Sequence, residues 1–271
     1  MNESNLWSLS ATELRKAYVK RTLSPVEVLA SYLGRITALN PRVNAFHLLM
    51  EENALLSAKK SEERWLKGSP LGLMDGIPTA IKDGLFMSGI PIYRGSLAND
   101  AQSNIPTTNA PVVDRMIGSG AIILGKTTMC DYGMLASGYS SKFGPTRNPW
   151  KLDFNSGGSS SGSAAAVAAG MCPVAVGTDI VGSIRNPASF CGLYGHKPSF
   201  GRVPFYPQTS PAVCAGPISR SVEDMALLLN VISGPDSRDP SALPYHEIDY
   251  MEAITGNVAG RTSGFMQDIG F

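Results

Sequence analysis

From Ser24 onward the chain sets Val28, Leu29, Tyr32, Leu33, Ile36 and Leu39 at a 3.6-residue period, so that one large apolar stripe faces inward while the positions between are small or polar. That pattern predicts an amphipathic helix. Ser24-Pro25-Val26-Glu27 marks its start with a capping box and a proline at the first helical position, and Asn40-Pro41 is its expected stop. A second capping box, Ser10 with Glu13, predicts a shorter helix upstream, and a third helix is expected over about 51–67.

Beyond residue 70 the pattern changes to short apolar runs separated by helical stretches. GIPTAIKDG (76–84) reads as a short strand, and a helix near 111–119 feeds AIILGKT (121–127), whose first four residues are apolar and partly β-branched. A helix over about 163–169 precedes VAVG (174–177), and a last helix runs from Ser221 to Gly234-Pro235. Helices alternating with short, fully apolar strands predict an α/β fold whose sheet is covered by helices on both faces.

Composition narrows the class of function. The 271 residues are 43% hydrophobic and 17% charged with a net charge of +1, and no run of like charges is present. Nucleic acid and an anionic membrane surface are therefore not expected partners. The N-terminal stretch has no signal-type apolar core, and no segment approaches eighteen uninterrupted apolar residues, so a cytoplasmic location is expected. Cys130, Cys172, Cys191 and Cys214 are too scattered for a zinc site or a disulfide framework, and histidine occurs only at positions 47, 196 and 246.

The segment GGSSSGSAAAVAAG (157–170) carries the most unusual texture. A Gly/Ser linker would lead into more polar chain, but here the serines run directly into a strong helix former. A phosphate loop would need G-K-[ST], and the chain has Gly162-Ser163-Ala164. Gly158 to Gly162 matches the G-x-S-x-G elbow with Ser160 as nucleophile, yet the preceding TRNPWKLDFNS has little of the apolar strand that an elbow requires. Two other residues stand out. Ser183 follows a strand and a tight turn whose consecutive N–H groups suit an oxyanion. Lys82 lies in an apolar run beside Asp83, where it is either an exposed or Asp83-paired lysine or a buried one with a lowered pKa.

Taken together, GIPTAIKD around Lys82, GGSSSGSAAAVAAG around Ser159 and GTDIVGSIRNPASFCGLYGHKPS around Ser183 resemble the amidase signature family of serine hydrolases. LSPVEVL (23–29), GPTRNPW (144–150) and GPISRSVEDMALLL (216–229) extend the likeness over nearly the whole chain. The resemblance implies the amidase-signature fold, with a mixed β-sheet, and a Ser-Ser-Lys triad. In it Ser183 is the nucleophile, Ser159 the bridging serine, held in the family by a cis peptide, and Lys82 the base. It further implies an oxyanion hole or substrate contacts at Ile180, Val181, Gly182 and Ser160, and structural support from Gly157, Gly158, Thr178, Asp179 and Arg185. The expected reaction is hydrolysis of a carboxylic amide through an acyl-enzyme, without cofactor or metal. A small amide is the expected substrate and a homodimer the expected assembly. The alternatives are a silent fragment or scaffold module, and the glutamine-hydrolysing subunit of an amidotransferase complex, against which Asn186 and Gly195-His196-Lys197-Pro198 weigh.

Two departures from the family pattern stand out. Val181 occupies a position usually held by glycine, where a β-branched residue would tolerate a positive φ badly, and Ser161 replaces another common glycine. Family members also continue well past residue 271. The expectation is a single truncated domain over 1–271, made of N-terminal helices (1–70), a triad-bearing core (71–235) and an incomplete C-terminal part (236–271). GFMQDIGF (264–271) reads as a strand entering a loop, leaving an unpaired sheet edge.

Overall fold

A computed structural model describes residues 3–208, 210–264, 266 and 268. The first half runs through α1 (Ala11–Val19), α2 (Pro25–Val43), β1 (Phe46–Leu49), α3 (Glu51–Lys67), β2 (Pro78–Lys82), α4 (Pro111–Gly118) and β3 (Ile122–Thr127). Short β4 (Tyr139–Ser140), β5 (Gly144–Pro145), β6 (Arg147–Asn148) and β7 (Lys151–Asn155) follow. Then come α5 (Ser161–Ala168), β8 (Val174–Asp179), α6 (Arg185–Phe190), β9 (Tyr194–Gly195), β10 (Cys214–Ser219), α7 (Val222–Ile232) and α8 (Tyr250–Ala253). Both capping boxes form as expected, with Ser10 and Ser24 accepting from the backbone N–H of Glu13 and Glu27 and each glutamate reaching back.

Six strands build the mixed sheet in the order β1-β3-β2-β8-β10-β9. Strands β3, β2 and β8 are parallel, while β1, β10 and β9 pair antiparallel to their neighbours. The period of two along each strand divides the core into two layers. Ile81, Ile123, Val174 and Val176 pack with Met116 of α4 and Leu227 and Leu228 of α7 on one face. Ala80, Ile122, Leu124 and Ala175 pack with Ala54 and Ala58 of α3 and Ala164 to Val167 of α5 on the other. Helix α2 serves both layers, with Val28 and Tyr32 in the first and Leu29 and Ile36 in the second.

Helix α2 does not stop at Asn40-Pro41 but absorbs Pro41 and ends at Val43. A proline in the last turn removes only one ladder bond. The termination falls to Asn44 in the left-handed region (φ 58°), while the Asn40 carboxamide oxygen accepts from the N–H groups of Ala45 and Phe46. The segment before the serine loop, expected to be poor in strand, forms the exposed hairpin of β6 and β7 outside the main sheet. Within 264–271, Gly264, Met266 and Asp268 lie in no helix or strand, and the rest of the expected strand lies outside the described residues. Among the described residues no helix is long and apolar enough to cross a membrane.

Candidate active site

Because β3, β2 and β8 run in parallel, their carboxyl ends open on one edge of the sheet, the usual place for a site in an α/β fold. Lys82 is the last residue of β2, and Thr178 stands near the end of the adjacent β8. Lys82 is fully buried. Its Nζ donates to Ser159 Oγ at 2.8 Å, to Thr178 Oγ1 at 2.8 Å and to the Thr178 carbonyl at 3.5 Å. Asp83 does not pair with it, because its carboxylate accepts from the N–H groups of Tyr93 and Gly95 instead. Burial lowers the Lys82 pKa from 10.5 to about 7, against a weaker upward pull from Cys130, Asp179 and Asp83.

The serine loop is packed so closely that side chains are excluded at two positions. A Cβ on Gly158 would stand 2.4 Å from the Ser137 carbonyl oxygen, and one on Gly162 would stand 2.2 Å from that of Ala45. The Gly158-Ser159 peptide is cis. Each serine then has its own partner. Ser159 meets Lys82, whereas Ser160 donates to the Thr178 carbonyl and accepts from the Thr178 N–H. Ser161 donates to the Thr128 carbonyl and Ser163 to that of Val176.

Ser183 sits in the loop between β8 and α6, and its carbonyl accepts from the Ser160 N–H at 3.0 Å, joining the two serine-bearing loops. Asn186 adds a second tie, its carboxamide oxygen accepting from Gly158 N–H at 3.1 Å. Asp179 organises the turn. Its buried carboxylate accepts from the N–H groups of Gly182, Ile184 and Arg185 and from the Arg185 guanidinium. Burial works to raise the Asp179 pKa, but Arg185 and the backbone donors outweigh it and the net shift is downward.

Ser159, Thr178, Ile180, Val181 and Ser183 share the wall of a cavity of about 300 Å³. Phe86, Met129, Met134, Phe205 and Val213 make most of it apolar, and no histidine lines it among the described residues. Two expectations change here. Gly182 gives its N–H to Asp179 Oδ1 at 2.7 Å, so it is not a free oxyanion donor, and fully buried Ser160 is bonded to Thr178 rather than facing the cavity. The serine that meets the Lys82 amine is Ser159, whereas both contacts of the Ser160 hydroxyl go to Thr178. Val181 escapes the anticipated strain because the positive φ of this loop (132°) falls on Gly182; Val181 instead stands 90% exposed at the cavity wall.

Sequence reasoning missed Asn186 as a tie between the loops, and missed Arg94 and Tyr132, which line the cavity. Arg94 and Tyr132 both hold positive φ (47° and 48°), a conformation set by the tertiary packing of their loops that local sequence does not announce.

Fold and site thus define an α/β protein in which a dry lysine and a serine pair at the carboxyl ends of parallel strands, beside an apolar cavity. The amidase family model matches residues 27–265, and the chain belongs to that family. It is 39% identical over 276 residues to the acylamidase of Rhodococcus erythropolis, covering 100% of this chain and 57% of that relative. It is 40% identical over 270 residues to a glutamyl-tRNA(Gln) amidotransferase subunit of Chloroflexus aurantiacus, covering 98% and 55%. The crystal structure of a bacterial aryl acylamidase of the amidase signature family superposes with a TM-score of 0.86 at 38% identity, covering 91% of this chain and 51% of that one. The chain therefore spans about half the length of the curated relatives it matches.

Proposed function

We propose that this chain carries the acylating machinery of a serine amidase that hydrolyses a carboxylic amide to an acid and ammonia or an amine. The observation that carries the reading is the fully buried Lys82, its pKa lowered to about 7, at 2.8 Å from a serine on the same cavity wall as Ser183. A serine hydroxyl needs a base within hydrogen-bond reach, and a neutral amine can act as one when its site is dry. Ser183 Oγ attacks the amide carbonyl and passes its proton to Ser159, whose own proton goes to the Lys82 amine. Collapse of the tetrahedral adduct breaks the C–N bond, and the proton returns from Lys82 through Ser159 to the leaving nitrogen. Water then repeats the cycle on the acyl-Ser183 ester, releasing the acid.

The N–H groups of Ile180, Val181 and Ser183 are the donors available to the developing oxyanion, each worth roughly 3 kcal/mol by the usual cost of removing one. Gly157, Gly158, Asp179 and Arg185 hold the two loops in register. A fluorophosphonate probe tests the assignment. Labelling at Ser183 that disappears in Ser183→Ala supports it; labelling that survives this change, or well-folded protein that takes no label, counts against it.

A second reading rests on the 40% identity to the amidotransferase relative, under which the same machinery would release ammonia from glutamine inside a complex. Co-purification with partner subunits, together with glutamine hydrolysis that exceeds hydrolysis of simple amides, would favour it.

A further inference from the structure

We propose that Arg94 is a specificity residue that selects amides carrying a carboxylate at the end remote from the scissile bond. The inference deepens the amidase reading and rests on it. Arg94 is the one charged residue on the wall of the cavity that holds Ser159 and Ser183, among the described residues. The rest of that wall is largely apolar, so a charge there has few competing polar neighbours and acts through a medium that screens it weakly. Its guanidinium has no hydrogen-bond or ion-pair partner among the described residues.

The surrounding acids are engaged elsewhere. Asp83 accepts from the backbone on either side of Arg94, at Tyr93 and Gly95, and Asp131 accepts from the N–H and hydroxyl of Ser141. The backbone is also fixed. Arg94 sits at φ 47°, its carbonyl accepts from Tyr132 N–H at 2.8 Å, and Tyr132 is itself held at φ 48° on the same wall. A left-handed conformation in a residue other than glycine costs roughly 1–2 kcal/mol and persists only where its surroundings impose it. Here they fix an arginine on the cavity wall. Arg94 and Phe86 also form the common wall with a second cavity of about 210 Å³, bordered by Ile92, Asn104 and Pro106. A guanidinium pairs a carboxylate with two parallel hydrogen bonds, a geometry that neither lysine nor a neutral donor reproduces. A main cavity of about 300 Å³ suits a short amide, one with a few methylenes between its two polar ends.

The test compares glutaramate with pentanamide, two amides of equal chain length that differ in the terminal carboxylate. In the unaltered chain kcat/KM should favour glutaramate, and in Arg94→Met that ratio should fall by at least roughly tenfold, mainly through KM. Arg94→Lys should restore part of the ratio, and Arg94→Gly, which relieves the backbone at φ 47°, should lose it without endangering the fold. Binding of the same two probes to Ser183→Ala protein, measured by calorimetry, separates this proposal from the amidase reading. Arg94-dependent binding of glutaramate without hydrolysis in the unaltered chain would overturn the amidase reading alone. Hydrolysis whose ratio ignores Arg94, equal binding of both probes, or no binding of glutaramate would overturn the assignment of Arg94.

Discussion

Replacing Lys82 with methionine removes a buried amine and leaves a side chain of similar length. The folded pKa of about 7 against an ordinary 10.5 means that the folded amine is increasingly neutral above pH 7 and below it must carry its charge in a dry site. At about 1.4 kcal/mol per tenfold, that difference sets an upper bound of roughly 5 kcal/mol on the stability the native lysine forfeits. The sign follows from proton counts. Between pH 7 and 10.5 the unfolded chain binds the proton that the folded chain has released, so native stability rises with pH and the penalty vanishes only above the unfolded value. Against this, Lys82→Met deprives Ser159 and Thr178 of a donor, at about 1 kcal/mol each. The variant should therefore be inactive yet more stable by roughly 3 kcal/mol near pH 7. That advantage should shrink by up to about 1.4 kcal/mol per pH unit on the way to pH 10. Urea unfolding of both proteins across this range measures it. A stability difference that stays constant with pH would mean the buried amine keeps its proton, and Lys82 could not then serve as a base at neutral pH.

Gly162→Ala should destabilise by roughly 3 kcal/mol or more, because the new Cβ meets the Ala45 carbonyl at 2.2 Å and the Thr128 nitrogen at 2.4 Å, neither of which can yield cheaply; thermal unfolding reads this. Asp179→Asn replaces an acceptor of three N–H groups and a guanidinium, and should cost at least about 2 kcal/mol while slowing acylation of Ser183, seen by denaturation and probe kinetics. Val181→Gly should change stability by no more than about 1 kcal/mol, since the side chain is 90% exposed, but should extend turnover toward bulkier acyl groups in a substrate-size series.

Legibility in the sequence follows the physics of each element. Helices α2 and α3 and strands β2, β3 and β8 are readable because one face or both are apolar and their boundaries carry caps or glycine. Strand β10 is not, because CAGPIS places glycine and proline in a run that its neighbours β8 and β9 nonetheless hold in the sheet. In the site, Lys82 and Ser159 are legible as motif residues, and the structure joins them at 2.8 Å. The engagement of Gly182 by Asp179, and of Ser160 by Thr178, depends on how loops and strands far apart in the chain meet, and no local pattern encodes it. Arg94 stays hidden for the same reason.

The most direct measurement is the pH dependence of phosphonylation by a fluorophosphonate, in which the serine oxygen displaces fluoride from phosphorus, with the modified residue located by mass spectrometry. The expected outcome is a label on Ser183 whose rate rises about tenfold per pH unit below the Lys82 pKa of about 7, levels off above it, and falls by at least roughly a hundredfold in Ser159→Ala and Lys82→Met. A label on Ser160, or a Ser183 rate indifferent to both changes, would contradict it.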